Sequence, residues 1–551
     1  MDYIYLNLVW STFRSPDTMT FKFLNDKWVF LTLGVALLFI VFRRLRRNTS
    51  RPFLSLPPAP LSAHWLFGHS EFFGLPHRHV LLGTTYKSIY GDVIGVSTTF
   101  AHFVYLNSVG SIIELLEKQA GVTANRPPNR MLKDVMGWGK GVALHDHDER
   151  HKKMRRVIAS ALHPAAARSY AAQHRKSTLD FVRNVSISPD KFKEHATNTI
   201  GAFILRLTYG HVVTKDDPLI SIIHEAVYYF IKGATQPYWV NAIPILRHVP
   251  SWFPGAGFQK IGSRGRELRN RYASEPFDEV FEQIRHNRLS RTSYTSRLLE
   301  EKGGVNATPE DIDLVKWTAA AMYVAGSTTT LHVVVMLFFM LALYPEVAQE
   351  AQAEIDSVVG RERLPDFTDR ETLPYVEALV QELMRVSPPA PLGFPHTVTE
   401  DIEFRGYRIP KGASISPNIW GILHDPTHYS SPHTFMPDRY LKSNPDPDPR
   451  KYIFGFGRRV CPGIHVANDS TWIMCAAVLA LFDIRAGEEL NRRVREIGGR
   501  ESPELYTLCE GFGAGLPLPF EYSITVRDKA AAEILELGSQ QQPDNSQDYR
   551  H

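Results

Sequence analysis

The chain has 551 residues, 44% of them hydrophobic and 22% charged, with a formal net charge of +4 and three cysteines. That composition is ordinary for a globular protein and supplies a large core, while so small a net charge excludes a nucleic-acid binder that works through a basic field. Three widely spaced cysteines, Cys461, Cys475 and Cys509, exclude a disulfide framework and suit a reducing compartment.

In chain order, the first feature is the uncharged run WVFLTLGVALLFIVF at 28–42. As a helix it spans about 22 Å, short of a ~30 Å hydrocarbon core, and Lys27, Arg43 and Arg44 can snorkel to extend it. The basic block RRLRR follows directly at 43–47. The excess of positive charge on that side predicts a single-pass transmembrane signal anchor over 28–42, with 1–27 lumenal and the rest cytosolic. A cleaved signal peptide would carry its basic region before the apolar run, and a buried core helix fits poorly with a basic block at its end. Residues 43–56 read as a basic linker, and Pro57, Pro58 and Pro60 stiffen the next stretch into an extended hinge. A single large domain, mainly α with a small β region, is expected over 57–526. Within it, 314–343 predicts a long helix opened by a cap at Thr308-Pro309-Glu310-Asp311. Residues 345–359 and 373–386 predict two more helices, and 402–407 and 413–417 alternate like strands. A further helix is predicted after Cys461, with Pro462 in its first turn. From Arg527 onward the composition turns polar, and 527–551 reads as a disordered tail.

The segment FGFGRRVCPG, beginning at Phe454, carries the chemistry. A thiolate is a soft, strongly donating metal ligand that must be kept deprotonated. At a helix N-terminus, Cys461 would meet unpaired N–H groups and the positive end of the dipole. Gly457 and Gly463 would let a flat ligand lie against the backbone. Phe454 would shield the sulfur, and Arg459 would pair with an acidic cofactor edge. A haem held by an axial thiolate meets these needs. Taken alone, a cysteine in such a turn is more often a packed structural residue.

The spacing Phe454-x-x-Gly457-x-Arg459-x-Cys461-x-Gly463 resembles the haem-binding signature of the cytochromes P450, with five fixed positions in ten residues. Glu382 and Arg385 in QELMR, with Arg439 in FMPDRY, are similar to the family's Glu-x-x-Arg helix and the arginine that completes its buried network. An i, i+3 pair by itself is usually a surface pair. AGSTTT, from Ala325 to Thr330, resembles the oxygen-activating motif small-Gly-x-acid-Thr. Gly326 and Thr329 match it, while Thr328 stands where the family carries a proton-relaying acid. On its own the segment reads as a small-residue helix crossing. The departure leaves relay through hydroxyls and water, leaky O2 turnover, or chemistry other than simple hydroxylation. His151 and Arg155 stand at the two ends of the family's Trp-x-x-x-Arg pattern, and His396 stands where relatives carry a propionate-contacting His or Arg.

The resemblance covers about 56–526 and implies the cytochrome P450 fold, with haem b bound through Cys461. The phrases VPSWFPGAGF at 249–258 and RRVCPGIHVANDSTWI look most like fungal microsomal members of secondary metabolism, including relatives of the O-methylsterigmatocystin oxidoreductase group. The implied activity is a monooxygenase that inserts one oxygen atom from O2 into a lipophilic secondary metabolite, a terpenoid favoured over a polyketide or other scaffold. Electrons from NADPH would arrive through a separate NADPH-cytochrome P450 reductase, with cytochrome b5 as an additional partner, because the chain has no flavin- or NAD-type glycine motif. Lys152, Lys153, Arg156, Lys451 and Arg458 would form its basic docking face, though each alone also reads as a solvated charge. The pocket would draw on 135–138, 228–231, 321–325, 392–394 and 512–514, mostly apolar with no charged anchor. The expected location is the endoplasmic reticulum membrane with the haem domain cytosolic. An electron-independent haem-thiolate isomerase or dehydratase, and a non-catalytic haem-binding protein, stand as alternatives.

Overall fold

The computed structural model describes residues 54–540, except Leu66, 215–216 and 511–514, together with Gly34. The expected anchor over 28–42, the segment 1–27, most of the linker and the pocket residues 512–514 lie outside the described residues. The described residues from 56 onward form one compact unit.

The helices that carry the argument are α1 (Glu149–Leu162), α2 (Ala171–Ile187), α3 (Phe192–Tyr209), α4 (Pro218–Thr235), α5 (Gly257–Arg285), α6 (Tyr294–Glu301), α7 (Pro309–Leu343), α8 (Pro345–Val358), α9 (Pro374–Val386), α10 (Ile464–Leu481) and α11 (Lys529–Gln540). Their starts follow local chemistry. Asp148 caps α1 by accepting from the His151 N–H, and Asp217 caps α4 by accepting from the Leu219 N–H. Thr308 caps α7 through the Asp311 N–H, with Pro309 in the first helical position, as its sequence predicts.

The 35-residue α7 is about 52 Å long and apolar on nearly every side, so it runs through the middle of the molecule. Its first half, 314–323, belongs to a core cluster shared with α3, α4, α5 and α6. Its second half, 333–343, belongs to another shared with α2, α8, α9 and α10. The stretch between, 324–332, contains AGSTTT. Both α7 and α10 are long and apolar enough to cross a membrane, yet each is two-thirds buried inside this fold, as core helices are.

The β structure is small. Strands β1 (Val93–Ser97), β2 (His102–Leu106), β3 (His396–Thr397) and β6 (Ser414–Pro417) form a sheet in the order β1-β2-β6-β3. β2 and β6 run parallel and the other pairs antiparallel, with His396 opposite Ile415. The expected strand over 402–407 is instead a hairpin of β4 (Ile402–Phe404) and β5 (Tyr407–Ile409). Arg405 and Gly406, at φ 50° and 80°, turn the chain back; two successive left-handed residues make the tight hairpin turn. A further pair, β7 (Phe482–Ala486) and β8 (Tyr522–Val526), runs antiparallel.

The expected disordered tail is corrected over its first part, because α11 occupies Lys529–Gln540. Ala531 and Leu535 are buried in the second core cluster, with Ile534 packed against them. These three stand at i, i+3 and i+4, an amphipathic stripe inside a segment that is polar on average. Residues 541–551 lie outside the described residues.

Two core imidazoles tie helices together. His332 of α7 lies 3.0 Å from both the carbonyl and the hydroxyl oxygen of Ser387, and His174 of α2 stacks on Phe203 with Nδ1 3.3 Å from the Ser470 hydroxyl. Burial lowers His332 to about 4 and His174 to about 3, so both are neutral in the folded protein. Unfolding lets each take up a proton below its ordinary value of about 6.5. The native state therefore loses stability as pH falls from about 6.5 towards those depressed values, and is indifferent to these groups above that window. We expect unfolding free energy to drop by up to about 1.4 kcal/mol per pH unit for each imidazole, and His332→Gln to reduce that slope, as measured by denaturant titrations between pH 5 and 8.

Candidate active site

Between residues 311 and 343 of α7, only Ala325 and Thr329 are exposed. They lie one turn apart on one face, so their exposure marks an opening inside the fold. Gly326 has a packing reason: a Cβ there would come within 2.7 Å of Ile204 Cδ1 on α3. The hydroxyls of Ser327 and Thr328 both donate to the Val324 carbonyl, at 3.2 and 3.3 Å, and Thr329 donates to the Ala325 carbonyl at 2.9 Å. Three such back-bonds in one turn loosen the helix ladder at the opening.

The cysteine loop is closed by the Cys461 N–H, which donates to the Phe454 carbonyl at 2.7 Å. Helix α10 begins at Ile464 with Gly463 as its cap, so Pro462 precedes the helix rather than occupying its first turn. Gly463 donates its N–H to the sulfur. A Cβ at Gly463 would lie 3.8 Å from Sγ, an ordinary contact. Gly457 is different: its φ is 55° and a Cβ would sit 2.3 Å from the Leu116 carbonyl oxygen. A close backbone approach explains that glycine without any ligand. Cys475 and Cys509 are buried, whereas Cys461 is partly open. Burial pushes the Cys461 thiol up, against the Gly463 N–H and the Arg155 charge, which favour the thiolate.

Around this loop gather arginines whose guanidiniums bond only to neutral groups, while the Arg126 backbone N–H donates to Asp146 at 3.2 Å. Arg155 on α1 donates to the Val460 carbonyl at 2.8 Å. Arg459 donates to the carbonyls of Ala124 at 2.6 Å and His145 at 2.7 Å, and its Nη1 lies 2.6 Å from His151 Nε2. His151 is buried, and burial together with Arg459 lowers it to about 3, so its Nε2 accepts that bond as a neutral imidazole. Arg126 donates to the carbonyls of Phe394 and Pro395, both at 2.8 Å. Burial, then the charges of Arg459 and Arg155, depress Arg126 to about 9. His396 is buried with Nδ1 2.9 Å from the Thr123 carbonyl, and burial followed by Arg126 lowers it to about 3. Its Nδ1–H therefore donates and Nε2 keeps the lone pair.

No carboxylate forms an ion pair with Arg126, Arg155 or Arg459 among the described residues. Three crowded guanidiniums without a counter-ion fit an anionic cofactor edge, and the one partly open cysteine fits a soft metal. The donor set therefore suits a haem with two propionates. Arg126 escaped the sequence reading because an arginine before Pro127-Pro128 belongs to no motif weighed there; its charge context is visible only once 123–126 lies against 459.

The charges of the second predicted group are internally balanced. Glu382, Arg385 and Arg439 are fully buried. Arg385 grips Glu382 with Nε and Nη2, each at 2.8 Å, and Arg439 Nε adds a bond at 3.1 Å. Asp446 supplies the second carboxylate, 2.8 Å from Arg439 Nη1. The remaining guanidinium hydrogens go to the carbonyls of Leu423, Ser430, Ser431, Pro432 and Thr434. Although burial acts to lower Arg385, the Glu382 charge and hydrogen bonds hold it above its ordinary value.

Of the expected docking face, Lys152 pairs with Glu149 and Lys153 with Glu310. Arg156, Lys451 and Arg458 are exposed and in no ion pair among the described residues.

A family model described as Cytochrome P450 matches residues 57–501. The chain is 36% identical over 514 residues to cytochrome P450 monooxygenase 208 of Postia placenta, covering 91% of this chain and 95% of that protein. It is 32% identical to cytochrome P450 monooxygenase claR of Ampulloclitocybe clavipes, with 92% of each covered. It is 29% identical to the multifunctional cytochrome P450 monooxygenase af510 of Aspergillus fumigatus, covering 92% of this chain and 94% of that protein.

Removing Glu382 leaves two buried arginines facing one carboxylate. Glu382→Ala is expected to cost about 3–5 kcal/mol, read as a lowered denaturation midpoint, whereas Glu149→Ala at the exposed pair with Lys152 should leave that midpoint nearly unchanged.

Proposed function

The chain belongs to the cytochrome P450 family and is one of its monooxygenases, and from that premise we propose how its residues divide the work and what it acts on. The observation that carries the reading is the cluster of Arg126, Arg155 and Arg459, whose guanidiniums form no ion pair with a carboxylate among the described residues, beside the one partly open cysteine.

In this proposal Cys461 would hold the iron of haem b through its sulfur. The Gly463 N–H and Arg155 stabilise its sulfur as the anion, and Phe454 closes the loop that carries it. Arg126, Arg155 and Arg459 neutralise the two propionates, with His151 and His396 completing the cradle as neutral rings. Bound haem supplies the activation of O2 and the oxidation of substrate. The face of Ala325 and Thr329 bounds the reaction space. The Thr329 hydroxyl, now donating to the Ala325 carbonyl, can rotate into the opening and hand on a proton from water. Thr328 carries no charge, so protons reach Thr329 through hydroxyls and water rather than from an acid.

Electrons come from NADPH through a separate NADPH-cytochrome P450 reductase, with cytochrome b5 as an additional donor. Arg156, Lys451 and Arg458, unpaired and exposed, make the docking face with Lys152 and Lys153 behind them. The run at 28–42 anchors the chain in the endoplasmic reticulum membrane and favours a lipid-partitioning substrate, a terpenoid ahead of a polyketide. Thr328 favours a second reading, an electron-independent isomerase or dehydratase.

Expression in microsomes with a fungal reductase, isotope-labelled O2 and a terpenoid-rich extract decides between them. The expected result is an NADPH-dependent product carrying one labelled oxygen; unlabelled product formed without NADPH favours the second reading. Cys461→Ser should abolish the long-wavelength ferrous–CO band of thiolate ligation. Thr329→Ala should lower product formed per NADPH oxidised, and Thr328→Asp should raise it, each by several-fold, well short of the roughly hundredfold or more that one proton-transfer group can contribute.

A further inference from the structure

Helix α5 carries five arginines, and four of them bond as surface arginines do. Arg264 pairs with Glu225 and Glu267, Arg266 donates to the carbonyls of Asp134 and Val135, Arg271 pairs with Glu275, and Arg285 pairs with Glu282. Arg269 differs. It is 7% exposed, its Nε is buried without a partner, and it makes no hydrogen bond or ion pair among the described residues. The charges that act on it come from Tyr272 and Arg266, with no carboxylate among them. Asp313, the acid bonded to the neighbouring Trp317 indole, is already held by Arg150 at 2.6 Å.

A second unpartnered donor lies beside it. Trp138 is equally buried, and its indole N–H has no acceptor. Arg269 reaches the backbone at Gly137, the residue before Trp138; its φ is 80°, and a Cβ there would lie 2.3 Å from Arg269 Nη2. Glycine at 137 is what lets the guanidinium reach the backbone next to Trp138. Aromatic rings frame the pair: Trp138 stacks on Tyr272 at 5.4 Å and meets Phe230 edge-on at 4.9 Å. The Trp317 ring lies 4.9 Å from the guanidinium carbon. One ring face is a weak counter-ion, and it does not offset taking a guanidinium out of water. Phe230 and Trp138 lie in two segments expected to line the substrate pocket, and Trp317 is on α7, eight residues before Ala325 and about 12 Å along its axis.

We propose that Arg269 and the Trp138 indole N–H form a subsite for the carboxylate of a lipophilic acid, which anchors the substrate's far end while its hydrocarbon part reaches the face of Ala325 and Thr329. This rests on the reading of the chain as a monooxygenase of lipophilic compounds and narrows the substrate class to carboxylic acids. A guanidinium accepts a carboxylate through two parallel bonds, and the surrounding rings exclude water and strengthen them. A methyl ester of the same acid offers no charge and leaves the arginine unpaired.

The test uses the full-length, haem-loaded protein in detergent, after its ferrous–CO band has confirmed thiolate ligation. Lauric acid and abietic acid are titrated against their methyl esters. Binding is read from the ferric spin-state shift and, independently, from the rise in thermal midpoint. The expected result is at least one acid bound tenfold or more tightly than its ester, with that preference lost in Arg269→Gln and partly kept in Arg269→Lys. Equal binding of acids and esters, no response to either acid, or a preference that survives Arg269→Gln would overturn the proposal and leave ordered water as the partner of these donors. A missing thiolate band would instead count against the haem reading itself.

Discussion

A buried charge must find its opposite, and much of this molecule is arranged by where that rule is met and where it is left open. Glu382 and Asp446 balance Arg385 and Arg439 in a pocket shut off from solvent. The arginines also collect the carbonyls of 423 and 430–434, so a stretch with little regular structure is pinned to α9 by its backbone. Residues 436–446 are thereby held in place, and the cysteine loop follows a few residues later. Removing one partner of such a network is far costlier than losing a surface pair, because the charge left behind stays out of water.

The same rule read in reverse points to ligands. Arg126, Arg155 and Arg459 crowd together, and their guanidiniums bond only to carbonyls and a neutral histidine. Their mutual repulsion depresses Arg126 and Arg459 beyond the effect of burial. Nearby His151 and His396 remain uncharged, so the cluster does not acquire further positive charge near neutral pH. Arg269 is a smaller instance beside Trp317 of α7, its guanidinium carbon 4.9 Å from that ring. Balanced charges build the scaffold, and the unbalanced ones are the basis of both binding proposals.

Helix α7 sets where these places lie relative to the reaction space. It joins two core clusters, and it is closely packed except in the stretch between them. There Gly326 admits α3, three hydroxyls bond back to the helix, and Ala325 and Thr329 are uncovered. A turn of small, hydroxyl-bearing residues cannot contribute much to either core, and an opening forms where the core is thinnest.

By itself the sequence determined the helical class, the cap at Thr308, the thiolate motif around Cys461 and the grouping of Glu382, Arg385 and Arg439, because each rests on short-range spacing. It also pointed to His151, Arg155 and His396 near Arg459. Averaged composition concealed α11, since the stripe of Ala531, Ile534 and Leu535 is a matter of period rather than content. The hairpin at Arg405 and Gly406 was hidden inside an alternating run. Only the tertiary structure decided that Gly457 serves a backbone contact, that Asp446 completes the buried network, and that the guanidiniums of Arg126 and Arg269 have no carboxylate partner among the described residues. Whether a charge is paired depends on residues tens to hundreds of positions away, and no local spacing encodes that.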